Sequence, residues 1–132
     1  MRKIELYFYG YTWEEYAFQI SNVQGIYVIY KGRIDADGLI EIKEILYIGY
    51  HKSFIDLYEQ NVIEFVKEYL APTDRIFFSY AEVRSEVFGK DVAALIINEV
   101  NPIYNNKNIS KITGYDLSCK GEYKLIPKRI IV

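Results

Sequence analysis

His51 is the only histidine of the chain, and a neutral imidazole is the side chain best suited to general-base work near neutral pH. Lys52 follows it directly, a cation that could touch a phosphate or simply be solvated. Near the C-terminus, Lys120, Lys124, Lys128 and Arg129 stand against Glu122 alone, four cations less one carboxylate, a local balance of +3 that suits phosphate contacts. Cys119 is the only cysteine, so the chain cannot form an internal disulfide, and one cysteine with one histidine is too few for a Cys/His metal cluster. Asp35-Ala36-Asp37-Gly38 starts like a calcium loop, but the later ligands and the closing glutamate are missing, so it reads as a turn.

These residues hang on the stretch 25–49, which opens Gly25-Ile26-Tyr27 and closes Tyr47-Ile48-Gly49. Alternation predicts a β-hairpin with Ile26, Val28, Tyr30 and Ile34 on one face of its first strand and Ile40, Ile42, Leu46 and Ile48 on the same face of its second. A loop of Ala36, Asp37 and Gly38 sets Asp35 opposite Leu39. Carried down the arms without interruption, that register puts Ile26 against Ile48, Val28 against Leu46 and Tyr27 directly against Tyr47. Around the hairpin the pattern predicts a strand over 3–9 ended by Gly10, and a short helix over 12–20 begun by the Thr12/Glu15 capping box. One helix of four or five turns is expected from Ser53 toward Pro72, with Phe54, Tyr58, Val62, Phe65, Val66 and Tyr69 as its apolar stripe. A strand over 76–83 and a largely buried helix over 86–100, stopped before Asn101-Pro102, come next. Positions 105–121 read as polar and turn-rich, and 122–132 as an edge strand or tail.

With 132 residues the chain makes one domain with a sizeable core, and 51% hydrophobic with 26% charged residues is the composition of a folded protein rather than a disordered one. Net charge −2 and a pI near 5.5 exclude the overall basic field of a dedicated nucleic-acid binder, so such a role needs a local patch. The 14 tyrosines either follow strand preference or supply stacking and interface surface. Neither a signal pattern nor a membrane-length apolar run is present, and with the lone cysteine this makes a cytoplasmic location without membrane contact the expectation.

Gly25-Ile26-Tyr27, then Tyr47-Ile48-Gly49 on the partner strand, then a helix, a strand, and a helix closed by Pro102-Ile103-Tyr104-Asn105, resembles the GIY-YIG nuclease family over residues 25–105. The resemblance implies an α+β fold, a small central antiparallel sheet made of the hairpin 25–49 and the strand near 76–83 and flanked by helices, with 1–24 and 106–132 as extensions of a single domain. It implies metal-assisted phosphodiester hydrolysis with Mg2+ or Mn2+. It puts Tyr27 at the position of the water-activating hydroxyl, Tyr47 at that of the second active-site tyrosine, and Asn105 at the closing asparagine. The family's helix arginine falls on Leu57, however, and its metal-binding glutamate on Ala93. The expected function is therefore nucleic-acid binding, DNA before RNA, with cleavage lost or strongly reduced. Tyr27, Tyr47, His51 and Asn105 would carry any residual activity, and Lys52, Lys120, Lys124, Lys128 and Arg129 would contact the nucleic acid. Two alternatives stand beside it: a protein- or small-ligand-binding module on the inactivated fold, and a rewired endonuclease using Asp91 or Glu86 with Lys52 or Arg84. Tyr27 and Tyr47 either take part in chemistry or pack the base of the hairpin.

Overall fold

The computed structural model describes residues 1–13, 22–68, 70–105 and 110–132. Among the described residues nine elements follow in order: β1 (Arg2–Trp13), β2 (Gly25–Ile34), β3 (Ile40–His51), α1 (Phe54–Glu59), α2 (Val62–Lys67), β4 (Arg75–Glu82), α3 (Glu86–Val100), β5 (Tyr115–Gly121) and β6 (Arg129–Ile131). The fold is α+β. Its six strands form one mixed sheet in the order β3-β2-β4-β1-β5-β6, antiparallel throughout except for the parallel pair β1/β5.

The expected three-stranded antiparallel unit is present as β3-β2-β4, but it is half of a larger sheet. β1 is not an appendage: it lies between β4 and β5 and runs on through Gly10 to Trp13. Its pairing with β4 shifts between Tyr9 and Thr12, and this irregularity absorbs the glycine instead of ending the strand. Thr12 and Trp13 therefore pair with Phe78 and Phe77 as strand residues, not as the start of a helix; positions 14–20 of the expected helix lie outside the described residues. β5 emerges from the stretch read as turn-rich, because its partner β1 is remote in sequence and leaves no local signal. β6 is the expected edge strand.

The hairpin loop forms as expected. Asp35 N donates to Leu39 O at 2.9 Å, Gly38 takes φ +79°, and Ile34 pairs with Ile40. The uninterrupted register does not hold. Lys43 and Leu46 are extra residues on β3, each bulging the strand and moving the pairing by one, so Val28 faces Ile48, Tyr27 faces Gly49 and Ile26 faces Tyr50. Two single shifts restore parity at the base of the hairpin, but Leu46 crosses to the opposite face. One core, beneath α3, takes Ile26, Val28, Tyr30, Ile45 and Ile48. The other, beneath α1 and α2, takes Tyr27, Ile29, Leu46, Phe54, Leu57, Ile63 and Val66.

The single long helix after the hairpin is divided in two by Asn61, whose left-handed φ of 59° asparagine tolerates better than most residues. The break rephases the buried stripe to Phe54, Leu57, Ile63 and Val66 and leaves Tyr58 and Phe65 exposed. Ser53 caps α1 by accepting from Asp56 N at 3.1 Å, as its spacing requires. α3 is capped by Ser85 and stops at left-handed Asn101 before Pro102. Among the described residues, no helix is long and apolar enough to cross a membrane.

Candidate functional site

The two motif glycines answer to close approaches. A Cβ on Gly25 would lie 2.8 Å from Val83 N, where β2 is drawn against the end of β4. One on Gly49 would lie 2.8 Å from Tyr47 Cζ. Tyr47, Gly49 and His51 project from the same side of β3, and the phenol leans along the strand over Gly49 to reach the imidazole. Tyr47 Oη stands 3.1 Å from His51 Nε2, and His51 Nδ1 stands 3.1 Å from Asp56 Oδ2 in the first turn of α1. A carboxylate only accepts, so Nδ1 carries the imidazole proton and Nε2 accepts from the Tyr47 hydroxyl. Gln60 Nε2 adds a 3.4 Å contact to the same carboxylate oxygen.

Tyr27 and Tyr47 are diagonal neighbours rather than a directly opposed pair. The Tyr27 ring, fully buried, sits 6.2 Å from the His51 ring, 6.4 Å from Phe54 and 6.4 Å from Tyr80, and its hydroxyl donates to Val23 O. Burial, then Tyr80 and Asp56, pushes its pKa far above the ordinary phenol value. Burial likewise raises Tyr47, with Asp56 adding to it, and lowers His51 against the opposing pull of the Asp56 hydrogen bond. All three shifts oppose proton transfer from phenol to imidazole. Both nitrogens of His51, only 4% exposed, are already engaged, so Tyr47–His51–Asp56 is a fixed network around a neutral imidazole, not a base open to water.

Asn105 binds backbone. Its Oδ1 accepts from Ile48 N at 2.9 Å and its Nδ2 donates to Ile48 O at 2.6 Å, while Tyr104 N donates to Leu46 O at 3.0 Å. Residues 101–105 thereby cover the free edge of β3, the amide imitating a strand's paired N–H and C=O. Between this segment, β3 and α3 lies a cleft of about 310 Å³ lined by Tyr47, Gly49, Lys90, Ala93, Ile97 and Asn105, among others. It adjoins a groove of about 280 Å³ through the shared residues Tyr50 and Lys90, and the groove adds His51, Lys52, Asp56, Gln60 and Glu86.

Leu57 is fully buried below Tyr27, and Ala93, 4% exposed, lines the cleft. Neither contributes charge. Among the described residues no aspartate or glutamate lines the cleft, and no three His, Cys, Asp or Glu side chains converge as metal ligands do. The residues present do not fit the divalent metal that the resemblance implies. Of the groups considered for relocated catalysis, Glu86 and Lys52 border the groove, whereas Asp91 accepts from Tyr115 Oη at 2.8 Å and Arg84 pairs with Glu82 at 2.7 Å.

The basic tail belongs elsewhere. Lys120 and Arg129 lie on β5 and β6, at the opposite edge of the sheet from β3; Lys120 pairs with Glu5 at 3.1 Å, and Arg129 grips Asp116 in a fork of 2.9 and 2.7 Å. Lys124 N donates to Tyr30 Oη at 3.1 Å, and Lys128 O accepts from Cys119 N at 2.8 Å, so this segment is fastened by its backbone. Lys120 and Arg129 thus do not share a surface with the hairpin cleft. Two residues at the site were not singled out by sequence. Asp56 showed only as a capping residue, although it follows His51 by five positions; Lys90 lies one turn before Ala93 and Ala94 on α3, a spacing that could have marked it.

Set against known proteins, the chain matches no family model, no curated protein and no solved structure.

Proposed function

We propose that this chain is a GIY-YIG-like domain that binds nucleic acid, DNA before RNA, at the cleft between β3 and α3 and does not cut it by the family mechanism. The observation that carries this reading is a cleft of about 310 Å³ that keeps Tyr47, Asn105 and the cation Lys90 while offering Ala93 where a metal-binding carboxylate would stand. The order β2, β3, helix, β4, α3 and then Pro102 to Asn105 supports the kinship. Lys90, which also pairs with Glu86 at 3.0 Å, and Lys52 present ammonium groups that suit a phosphate at the joined cleft and groove. Hydrolysis of a phosphodiester also needs water activation and stabilisation of the extra charge on phosphorus. Tyr27 is committed to Val23 O, His51 is engaged at both nitrogens, and Leu57 is apolar, so neither need is met.

The test pairs a binding titration with a nicking assay. Fluorescent duplex DNA should bind at low salt with an affinity that falls as salt rises, and Lys90→Ala should weaken it several-fold. Supercoiled plasmid should remain intact with magnesium or manganese. Nicking abolished by Tyr47→Phe would refute the non-cleaving reading. Absence of affinity at low salt would refute nucleic-acid binding and favour a protein or small-ligand module, for which the cleft's apolar residues Ile48, Ala93, Ala94 and Ile97 are the support.

A further inference from the structure

Among the described residues, the core beneath α1 and α2 includes residues of β2, β3 and β4 and none of β1, β5 or β6. From Lys3 to Tyr9 the side chains of β1 alternate: Leu6 and Phe8 are buried beneath α3, while Lys3, Glu5, Tyr7 and Tyr9 point to the other side and are exposed. Tyr7 is 55% and Tyr9 49% accessible. Their rings stand 5.1 Å apart, and the Tyr9 ring stacks on Tyr80 of β4 at 5.7 Å with 27° between planes. Tyr80 in turn packs against buried Tyr27, which anchors the row in the core.

Cations flank the row. Lys120 is the register partner of Tyr7, and beyond it the face continues into a groove of about 410 Å³ lined by Lys3, Glu5, Asp116, Ser118 and Arg129. Two of the terminal cations read from sequence as phosphate contacts, Lys120 and Arg129, thus share a surface with tyrosines of β1 and β4, not with those of the hairpin.

We propose that Tyr7, Tyr9 and Tyr80 form a base-stacking platform for single-stranded nucleic acid, with Lys120, Lys3 and Arg129 beside the phosphodiester backbone. This deepens the nucleic-acid reading and rests on it. Stacking needs accessible π-faces beside cations, and it tolerates any base because every base presents a π-face. The core of a protein interface is depleted of lysine, whereas Lys3 and Lys120 border this row. On this face of β1, β5 and β6 the exposed large aliphatic side chain is Ile131, so the chemistry offered is aromatic and cationic. Glu5 and Asp116 already engage Lys120 and Arg129, and Glu82 engages Arg84, which leaves the face close to neutral. Stacking rather than counterion release therefore dominates, and the salt dependence should be shallow.

Fluorescence anisotropy at low and moderate salt tests this with labelled oligothymidylate, oligouridylate and duplex DNA. Tyr7→Ala and Tyr9→Ala should each weaken both single strands about 10-fold and leave duplex binding unchanged. Tyr9→Phe, which keeps the ring, should retain affinity and shows that a loss in the alanine variant is not misfolding; thermal melts check each variant. Alanine variants that bind single strands as tightly as the parent chain would overturn the platform, and if Lys90→Ala weakens the same binding, the cleft reading survives. A parent chain with no affinity for any of the three probes would overturn both.

Discussion

Tyr47, His51 and Asp56 illustrate how one side chain's chemistry depends on what occupies its neighbours. A lone histidine after a tyrosine invites a catalytic role, yet a buried imidazole hydrogen-bonded on both sides acts as a strut between β3 and α1. The consequence is measurable through pH. Burial lowers the folded-state pKa of His51 below its ordinary 6.5, so the unfolded chain takes the proton more readily. The stabilisation from keeping the imidazole neutral is complete above 6.5 and is lost as pH falls through the lowered folded value. The unfolding midpoint should therefore drop on acidification from neutral pH to about pH 5, with a slope from this group of at most about 1.4 kcal/mol per pH unit. Melts of the parent chain and His51→Gln over that range read it: the variant should show the flatter profile. The presence of Tyr47, Gly49 and His51 was legible in sequence, but the extension of β3 to His51 that gives them one face was not. Nor was their contact, because it depends on a rotamer that lies along the strand and on a helix that returns Asp56.

Among the elements, β3 departs most from its expected form. Two bulges at Lys43 and Leu46 move the pairing by two residues between loop and base, which alternation alone could not indicate. The local rule is sound, since either shift by itself would turn every following apolar side chain to the wrong face. Only the pair, with cores on both faces able to accept Leu46 on one side and Ile45 on the other, is compatible with packing. The outer edge of β3 depends on Asn105 in the same way. Asn105→Ala leaves Ile48 N–H and C=O without their partners and should cost about 1–3 kcal/mol. Hydrogen exchange reads this locally: the Ile48 amide should exchange faster in the variant while those of β4 stay protected.

At the scale of the whole molecule, the two ends of the chain complete the sheet instead of decorating it. β1 joins β4 to β5, so its loss would expose two strand edges and remove Leu6 and Phe8 from the core beneath α3. Deleting residues 1–13 should therefore abolish the cooperative thermal transition, measured by circular dichroism, whereas removal of a peripheral extension would leave it intact. The same arrangement separates the hairpin cleft from the basic C-terminal strands and brings those strands beside Tyr7. Charge that looked like support for the motif belongs to another face.

By itself the sequence determined the hairpin and its loop, the existence of strand β4, the helix α3 with its end before Pro102, and the absence of charge at Leu57 and Ala93. Each of these rests on local rules: alternation, capping, turn chemistry and the identity of a residue. The doubled bulge, the split at Asn61, the parallel pairing of β1 with β5 and the closure of His51 between Tyr47 and Asp56 were decided only by the tertiary structure. They satisfy hydrogen-bonding groups and apolar faces supplied by residues distant along the chain, and no window of sequence contains both partners.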